Sequence, residues 1–190
     1  MIFGNSGVLH KIPYLLAGVA AVAFIAPAAA ADTVGSMRSL KEIRERAVVM
    51  QHYETSCAAA AVATVLTYGF HDPVSEQYAA SKMLEKTDAK LVKARGGFSL
   101  LDLKHFVEGR GYTGDGYQYL SIDDLKVFRA PIVPIKVFGS NHYVVVNAIR
   151  GDDVMIADPA FGNRTMSVAD FQSAWIDGMA FVIGAKSEKS

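Results

Sequence analysis

The single cysteine of the chain, Cys57, has the sequence surroundings of a nucleophile. Ser56 precedes an alanine-rich run from Cys57 to Tyr68, whose composition predicts a buried helix with Ser56 as its N-cap. The thiol would then stand at the positive end of that helix, where unpaired N–H groups favour the thiolate. Because the thiolate is the nucleophilic form of cysteine, the chemistry indicated is covalent catalysis.

Gln51 and the backbone of Cys57 can supply the hydrogen-bond donors that such a reaction needs. Gln51 lies six residues before Cys57, in the loop that enters the predicted helix. A side-chain amide there, together with the Cys57 N–H, can donate hydrogen bonds to an oxyanion that forms beside the sulfur. The two donors therefore predict an oxyanion hole.

A β-hairpin in the second half of the chain is expected to bring a histidine and a carboxylate together. Residues 142–149 predict a strand that begins at His142, residues 151–152 a turn, and residues 154–157 a returning strand that ends before Asp158. Both ends of this hairpin lie on the same side of the sheet, so Asp158 is expected to accept the Nδ1–H of His142. Cys57, His142 and Asp158 would then form a catalytic triad.

The same residues also have a purely structural interpretation. A lone cysteine in an alanine helix can be a small buried apolar residue. His52, His71 and His105 have no matched partners in the sequence, and Trp175 is more typical of a core than of a substrate platform. The catalytic interpretation of Cys57 therefore depends on whether His142 reaches it.

The composition limits the classes of protein to which this chain can belong. The chain has 190 residues, of which 51% are hydrophobic, and a formal net charge of zero. This content suits one globular domain with a core and gives no electrostatic basis for binding nucleic acid. One cysteine excludes an internal disulfide, and no paired spacing of Cys and His suggests zinc, so we expect no metal and no organic cofactor.

Residues 1–31 have the pattern of a signal peptide. An apolar run at 12–26 leads into small residues and then a polar start at Asp32, which is typical of a cleavage site. We expect export and a mature region of 32–190 in the periplasm or the medium; the alternative is an uncleaved N-terminal anchor. No later run reaches the roughly 20 apolar residues of a membrane helix, so we expect no stable membrane span after cleavage.

The order of the predicted elements indicates an α+β fold. Helices are predicted from Cys57, from Ser75 and, with a capping box, from Ser99. A short strand at 47–50 is expected to lead to Gln51 and position it. Helices followed by antiparallel strands favour α+β over a doubly wound parallel sheet. The later elements are strands at 131–138, 142–149, 154–157 and 179–184 and a short helix from Ser167, with the prolines of 131–138 predicting an edge or a bulge.

Three motifs, taken in this order, resemble peptidase family C39. They are Gln51 with Cys57 at the head of an alanine-rich helix, the run 142–146, and the run 156–162 that contains Asp158. Members of this family are papain-like cysteine peptidases, related to the domains that cut bacteriocin leader peptides after a double glycine. The resemblance covers about residues 40–184, which is nearly all of the expected mature chain.

The resemblance implies a papain-like fold in which N-terminal helices carry Cys57 and pack on an antiparallel sheet that carries His142 and Asp158. It implies Cys57 as nucleophile, His142 as general base and acid, Asp158 as orienting residue, Gln51 as oxyanion donor, and a peptide or protein as substrate. Ala58 departs from the glycine that the family often has there, and its methyl group is expected to crowd a substrate. The chain also lacks the phosphate-binding loop of members fused to transporters, so cytoplasmic leader processing does not transfer.

The sequence thus favours an exported cysteine peptidase and leaves two alternatives open. The same triad can transfer the acyl group to an amine instead of water, which makes an acyltransferase. A peptidase scaffold that has lost turnover can serve as a peptide-binding module. The substrate, the cleavage site and the oligomeric state do not follow from the sequence.

Overall fold

The structure, a computed structural model, describes residues 38–185; the expected signal peptide at 1–31 lies outside them. Serine side chains cap five of the seven helices in this part of the chain, and each of these five accepts the N–H of the residue three positions later, as predicted for Ser99 and Ser167. These bonds satisfy donors that the first helical turn leaves without a partner. The helices are α1 (Leu40–Arg44), α2 (Cys57–Thr64), α3 (Glu76–Leu84), α4 (Ala89–Arg95), α5 (Leu100–Gly109), α6 (Ile122–Leu125) and α7 (Val168–Ala174).

Helix α2 is the central helix and is buried along its whole length. It continues into a π-helical turn, Val65–Gly69, so the helical run extends about as far as the sequence predicts. Thr64 marks the change: its hydroxyl donates to the Ala60 carbonyl (2.9 Å) and accepts the Val49 N–H (2.9 Å). A threonine that bonds back to the preceding turn bends a helix. Within residues 38–185, no helix has the length and apolar character to cross a membrane.

Six strands form one antiparallel sheet in the order β1-β6-β2-β3-β4-β5. The hairpin of β3 and β4 turns at residues 151–152, as predicted, and a bulge between Val146 and Ala148 absorbs the unequal lengths of its two arms. The α+β class is therefore confirmed. The strands are β1 (Thr113–Tyr117), β2 (Ile132–Val137), β3 (Ser140–Arg150), β4 (Asp153–Asp158), β5 (Gly162–Ser167) and β6 (Ala180–Gly184).

Apolar layers cover both faces of the sheet. On one face, α2, α3 and α5 pack on strand residues that include Val145 and Ala157. On the other face, the layer contains Val144, Ile156 and Phe171 of α7. Successive strand residues point to opposite faces, so β3 and β4 contribute to both layers. This packing places the start of α2 against the hairpin of β3 and β4.

One predicted strand is absent, one lies inside the sheet, and two strands were not predicted. The segment 47–50 is not a strand, because its Val49 N–H bonds to the side chain of Thr64 instead of to a neighbouring strand. Strand β2 lies between β6 and β3, although its prolines predict an edge or a bulge at those points. It pairs with β6 only at Ile132, and Pro134 lies beyond that pair. The Pro134 carbonyl accepts the Ile176 N–H (3.0 Å). Because β6 does not pair with Pro134, the N–H that proline lacks is not needed for a bond to β6. Strands β1 and β5 are the two that were missed.

Ala58 is fully buried in the layer between α2 and the sheet, so its methyl group packs in the core. We expect Ala58→Gly to lower the free energy of unfolding by about 1–2 kcal/mol, from helix propensity and the lost methyl burial. Urea unfolding followed by circular dichroism measures this loss. The alkylation rate of Cys57 by iodoacetamide should stay the same; a clear increase would show that the methyl group shields the thiol after all.

Candidate active site

Cys57 is the first residue of α2, and its side chain is 3% exposed. The first backbone bond of the helix runs from the Ala60 N–H to the Ser56 carbonyl (2.9 Å). The N–H groups of residues 57–59 therefore precede the intrahelical bonds and point out of the helix start. Since every residue of α2 is buried, the packing of the helix fixes where the sulfur lies.

His142 joins Cys57 to Asp158. Its Nε2 lies 2.7 Å from Asp158 Oδ1, and Cys57 is close enough for its side chain to raise the pKa of the ring. The expected bond between Nδ1 and Asp158 is wrong: the ring presents Nε2 to Asp158. Because Nε2 is bonded to Asp158, Nδ1 is the ring nitrogen that remains for Cys57. The three residues of the predicted triad therefore meet in the structure.

Asp158 is a fully buried carboxylate with a complete set of donors. Besides His142, it accepts the Ala160 N–H (2.9 Å), and both Arg164 Nε (2.9 Å) and Arg164 Nη2 (2.8 Å) lie beside it. Burial alone would raise the pKa of Asp158, but the hydrogen bond from His142, its charge and the other donors hold that pKa below its usual value. Asp158 is thus a fixed negative charge behind the histidine. The role of Arg164 was not predicted from the sequence, and neither was its strand, β5.

The pKa of His142 is raised to about 9. Burial works in the opposite direction, but the hydrogen bonds to Asp158 and then to Cys57, and the charges of both, outweigh it. The histidine therefore carries its proton at neutral pH. Burial and the nearby charge of Cys57 raise the pKa of Tyr143 to about 12, so this neighbouring phenol stays neutral.

Gln51 is tied to both sides of the site through its backbone and its side chain. Its N–H donates to the carbonyl of Pro159, directly after Asp158 (2.8 Å). Its side-chain Nε2 donates to the carbonyl of Tyr53 (3.2 Å), within the loop that leads to Cys57. Within residues 38–185, its buried Oε1 has no hydrogen-bond partner. Gln51 therefore lies at the site, with its amide held by its own loop.

A buried glutamate, Glu76 of α3, holds the loop that carries Gln51 and Cys57. Its carboxylate accepts the His52 N–H (2.8 Å), lies 2.8 Å from His52 Nδ1 and accepts the Ser56 hydroxyl. Burial would raise the pKa of Glu76, but the bonds from Ser56 and His52 lower it. The loop is thus fastened to α3 at two points by one ionised side chain.

Glu76 explains two departures from the sequence analysis. Ser56 precedes α2 but makes no capping bond with its side chain, because its hydroxyl is directed to Glu76 and to the Tyr53 carbonyl (2.8 Å). His52 has a partner, although none was predicted. No signal in the sequence points to this role, since a glutamate in the first turn of a helix is common for electrostatic reasons alone.

A cleft of about 1290 Å³ opens beside these residues. Its lining includes Ser56 and Asn141, the sequence neighbours of Cys57 and His142, and Gly96, the left-handed residue that ends α4. A smaller cavity of about 270 Å³, lined by residues of α3 and α5, lies apart from the triad. Within residues 38–185, no group of three or more His, Cys, Asp or Glu side chains is arranged to hold a metal ion. The larger cleft is therefore the candidate site for a substrate.

The bond to Cys57 contributes to the pKa of His142, which gives a test in solution. We expect that the pKa of His142, measured by NMR titration of its ring, is about 9 in the intact protein and lower in Cys57→Ala, because the favourable charge is lost. Cys57→Ser is the matched control, since a hydroxyl keeps the size and stays neutral. An unchanged pKa in both variants would contradict the contact between His142 and Cys57.

Glu76 should contribute to stability above its own pKa. Glu76→Gln leaves donors in the loop without a charged acceptor, and we expect a loss of about 2–3 kcal/mol in the free energy of unfolding at neutral pH. Because the folded pKa lies below the 4.5 of a free glutamate, this contribution is present above that pH and is lost as the pH falls through the folded pKa. Urea unfolding against pH measures it.

The control for this prediction is Glu85→Gln, which removes an exposed pair with Lys82. Such surface pairs contribute well under about 1 kcal/mol. Equal losses in the two variants would contradict the role assigned to Glu76.

Comparisons with known proteins identify relatives of this chain. The model of the Peptidase C39 family matches residues 45–188. A probable functional amyloid protease, FapD, of Pseudomonas aeruginosa is 33% identical over 77% of this chain, and its counterpart in Pseudomonas fluorescens is 34% identical. The chain spans 64% of the length of these relatives.

Solved structures show the same fold. A double-glycine-motif protease from an AMS/PCAT transporter, crystallised with a leader peptide, has a TM-score of 0.60 and 25% identity, covering 74% of this chain and 94% of its own. The peptidase domain of Streptococcus ComA has a TM-score of 0.60 and 22% identity, covering 72% and 96% respectively. The chain belongs to the peptidase C39 family of cysteine peptidases.

Proposed function

We propose that this chain is a cysteine peptidase in which Cys57, His142 and Asp158 form the catalytic triad. The observation that carries the proposal is the ring of His142, which bonds to the buried carboxylate of Asp158 and lies close enough to Cys57 for that side chain to raise its pKa. A histidine that carries a proton beside a cysteine is the arrangement that activates a thiol for attack on a carbonyl.

The first half of the reaction forms an acyl-enzyme. The sulfur of Cys57 attacks the carbonyl carbon of a peptide bond, and the carbonyl oxygen becomes an oxyanion. The N–H of Cys57 and the amide of Gln51, released from Tyr53, donate hydrogen bonds to that oxyanion. The Nδ1 proton of His142 passes to the leaving nitrogen, the C–N bond breaks, and a thioester remains on Cys57.

The second half releases the acyl group. The neutral His142 takes a proton from water, whose oxygen attacks the thioester carbon. The C–S bond breaks, a carboxylic acid leaves, and Cys57 and His142 return to their starting states. Asp158 keeps the ring oriented through both halves and stabilises its positive charge. No metal or organic cofactor takes part in these steps.

The substrate that we propose is a protein of a functional amyloid system outside the cytoplasm. The names of the two Pseudomonas relatives support the amyloid system, and both are similar along most of this chain. The apolar run and small residues of 1–31 support export, with 1–31 as the signal peptide and 32–190 as the peptidase domain in the periplasm or the medium.

The proposal is tested by comparing protein termini in exported material from cells that carry the intact protein and cells that carry Cys57→Ala. We expect new N-termini in an amyloid-system protein only with the intact chain, because the variant lacks the attacking sulfur. The masses of the matching N-terminal products should show a free carboxylate at their new C-terminus, which distinguishes hydrolysis from acyl transfer to an amine.

Two results would count against the proposal. Termini that are the same with the intact chain, with Cys57→Ala and without the gene would argue for a binding module without turnover. The same new termini in both strains, absent only when the whole gene is deleted, would show that Cys57 is not the nucleophile.

A further inference from the structure

Residues 38–46, which contain α1, lie against the turn that links β4 to β5, and we call them the N-terminal strap. The side-chain Nδ2 of Asn163 donates hydrogen bonds to the carbonyls of Arg44 (3.0 Å) and Arg46 (2.7 Å). In the opposite direction, Nη2 of Arg44 donates to the Phe161 carbonyl (2.9 Å). Three hydrogen bonds therefore fasten the strap to the turn and to the start of β5, each across at least 117 residues of sequence.

The path of the strap is closely fixed. Gly162 lies against it with a φ of 77°, and a Cβ at this position would come within 2.6 Å of the Arg44 carbonyl oxygen. A glycine is therefore required at this approach. Directly after the strap, Ala47 has a φ of 57°, which is uncommon for a residue with a side chain. Because such a conformation persists only where the surrounding structure imposes it, the chain is held on both sides of this point.

The turn that the strap holds also serves the carboxylate of Asp158. Oδ1 of Asp158 accepts the N–H of Ala160 (2.9 Å) and the N–H of Phe161 (3.3 Å), in addition to its bond with His142. Phe161 thus donates its N–H to the carboxylate and offers its carbonyl to Arg44 of the strap. A strap that moved away would leave this donor of Asp158 without its support.

We propose that Asn163 is a positioning residue of the active site: through the strap, it holds the turn after Asp158 so that the carboxylate stays aligned with His142. This inference rests on the proposed function and adds a support to its triad. Neither Asn163 nor the strap lines the cleft of about 1290 Å³. The effect of Asn163 therefore falls on the chemical step and not on substrate binding.

A contribution to stability alone is the other explanation of these contacts. Hydrogen bonds between distant segments stabilise a fold wherever they lie. A strap with only that role would lower the midpoint of thermal unfolding and leave the chemistry unchanged. The geometry favours positioning, because the strap holds Phe161, which itself donates to the buried carboxylate. The experiment measures stability and chemistry separately.

The test compares Asn163→Ala with Asn147→Ala. Asn163→Ala removes both hydrogen bonds that its Nδ2 donates to the strap. Asn147 is the matched control, because its exposed side chain donates to Oδ1 of Asn163 (3.4 Å), an atom that the bonds to the strap do not use. A second variant, Arg44→Ala, removes the bond to the Phe161 carbonyl from the strap's side.

Activity is measured on the peptide that the intact protein cleaves fastest in a tryptic digest of a bacterial proteome. In Asn163→Ala and in Arg44→Ala we expect kcat to fall about tenfold with KM unchanged, because a small misplacement slows the chemical step. The double variant should lose little more than either single variant, since both changes release the same strap. Asn147→Ala should keep the kcat of the intact protein.

The ring of His142 gives a readout that does not require turnover. Its pKa, about 9 in the intact protein, should be lower in Asn163→Ala, because a carboxylate that shifts away from the ring stabilises the proton less. NMR titration of the ring in the folded variants measures this change, and Asn147→Ala should leave the pKa the same. If the intact protein cleaves no peptide, the proposed function fails, and this titration still decides the role of Asn163.

Two results would overturn the inference. One is an unchanged kcat together with an unchanged pKa of His142 in Asn163→Ala; a lower unfolding midpoint would then assign the strap to stability alone. The other is a higher KM at unchanged kcat, which would place Asn163 in substrate binding. If Asn163→Ala does not fold, the same two criteria apply to Arg44→Ala, which removes only one of the three bonds.

Discussion

The hydrogen bond between His142 and the buried carboxylate of Asp158 is the interaction on which the rest of the site depends. A carboxylate that is wholly removed from water is unfavourable unless several donors surround it. Here Arg164, a backbone N–H and the histidine itself meet that condition. The imidazole is fixed as a result, and α2 needs only to bring Cys57 to its other nitrogen.

A second buried carboxylate, Glu76, fixes the position of the other half of the site. Asp158 anchors the residues that come from the sheet, and Glu76 anchors the loop that comes before α2. The two halves are joined where the Gln51 N–H meets the Pro159 carbonyl. Both acids keep their charge because donors outweigh the effect of burial on the pKa. The geometry of the cleft thus depends on two internal charges, each satisfied by residues distant in sequence.

Much of the fold and of the site could be predicted from local sequence patterns. Cys57 at a helix start and the hairpin that pairs His142 with Asp158 follow from composition, turn residues and strand length, which are properties of short segments. The roles of Glu76 and Arg164 could not be predicted in this way. Glu76 bonds to Ser56 across a gap of 20 residues, and Arg164 lies in β5, a strand that was not predicted. The orientation of the histidine ring, and the diversion of the Ser56 hydroxyl from its helix, are decided by tertiary contacts that no local pattern contains.

The account is tested most directly by the rate at which iodoacetamide alkylates Cys57 at neutral pH in the folded protein, in His142→Ala and in Asp158→Asn. If His142 activates the sulfur and Asp158 supports His142, the rate is highest in the intact protein, lower in Asp158→Asn and lowest in His142→Ala. Equal rates in three folded proteins would contradict the account, because the sulfur would then react without help from either residue.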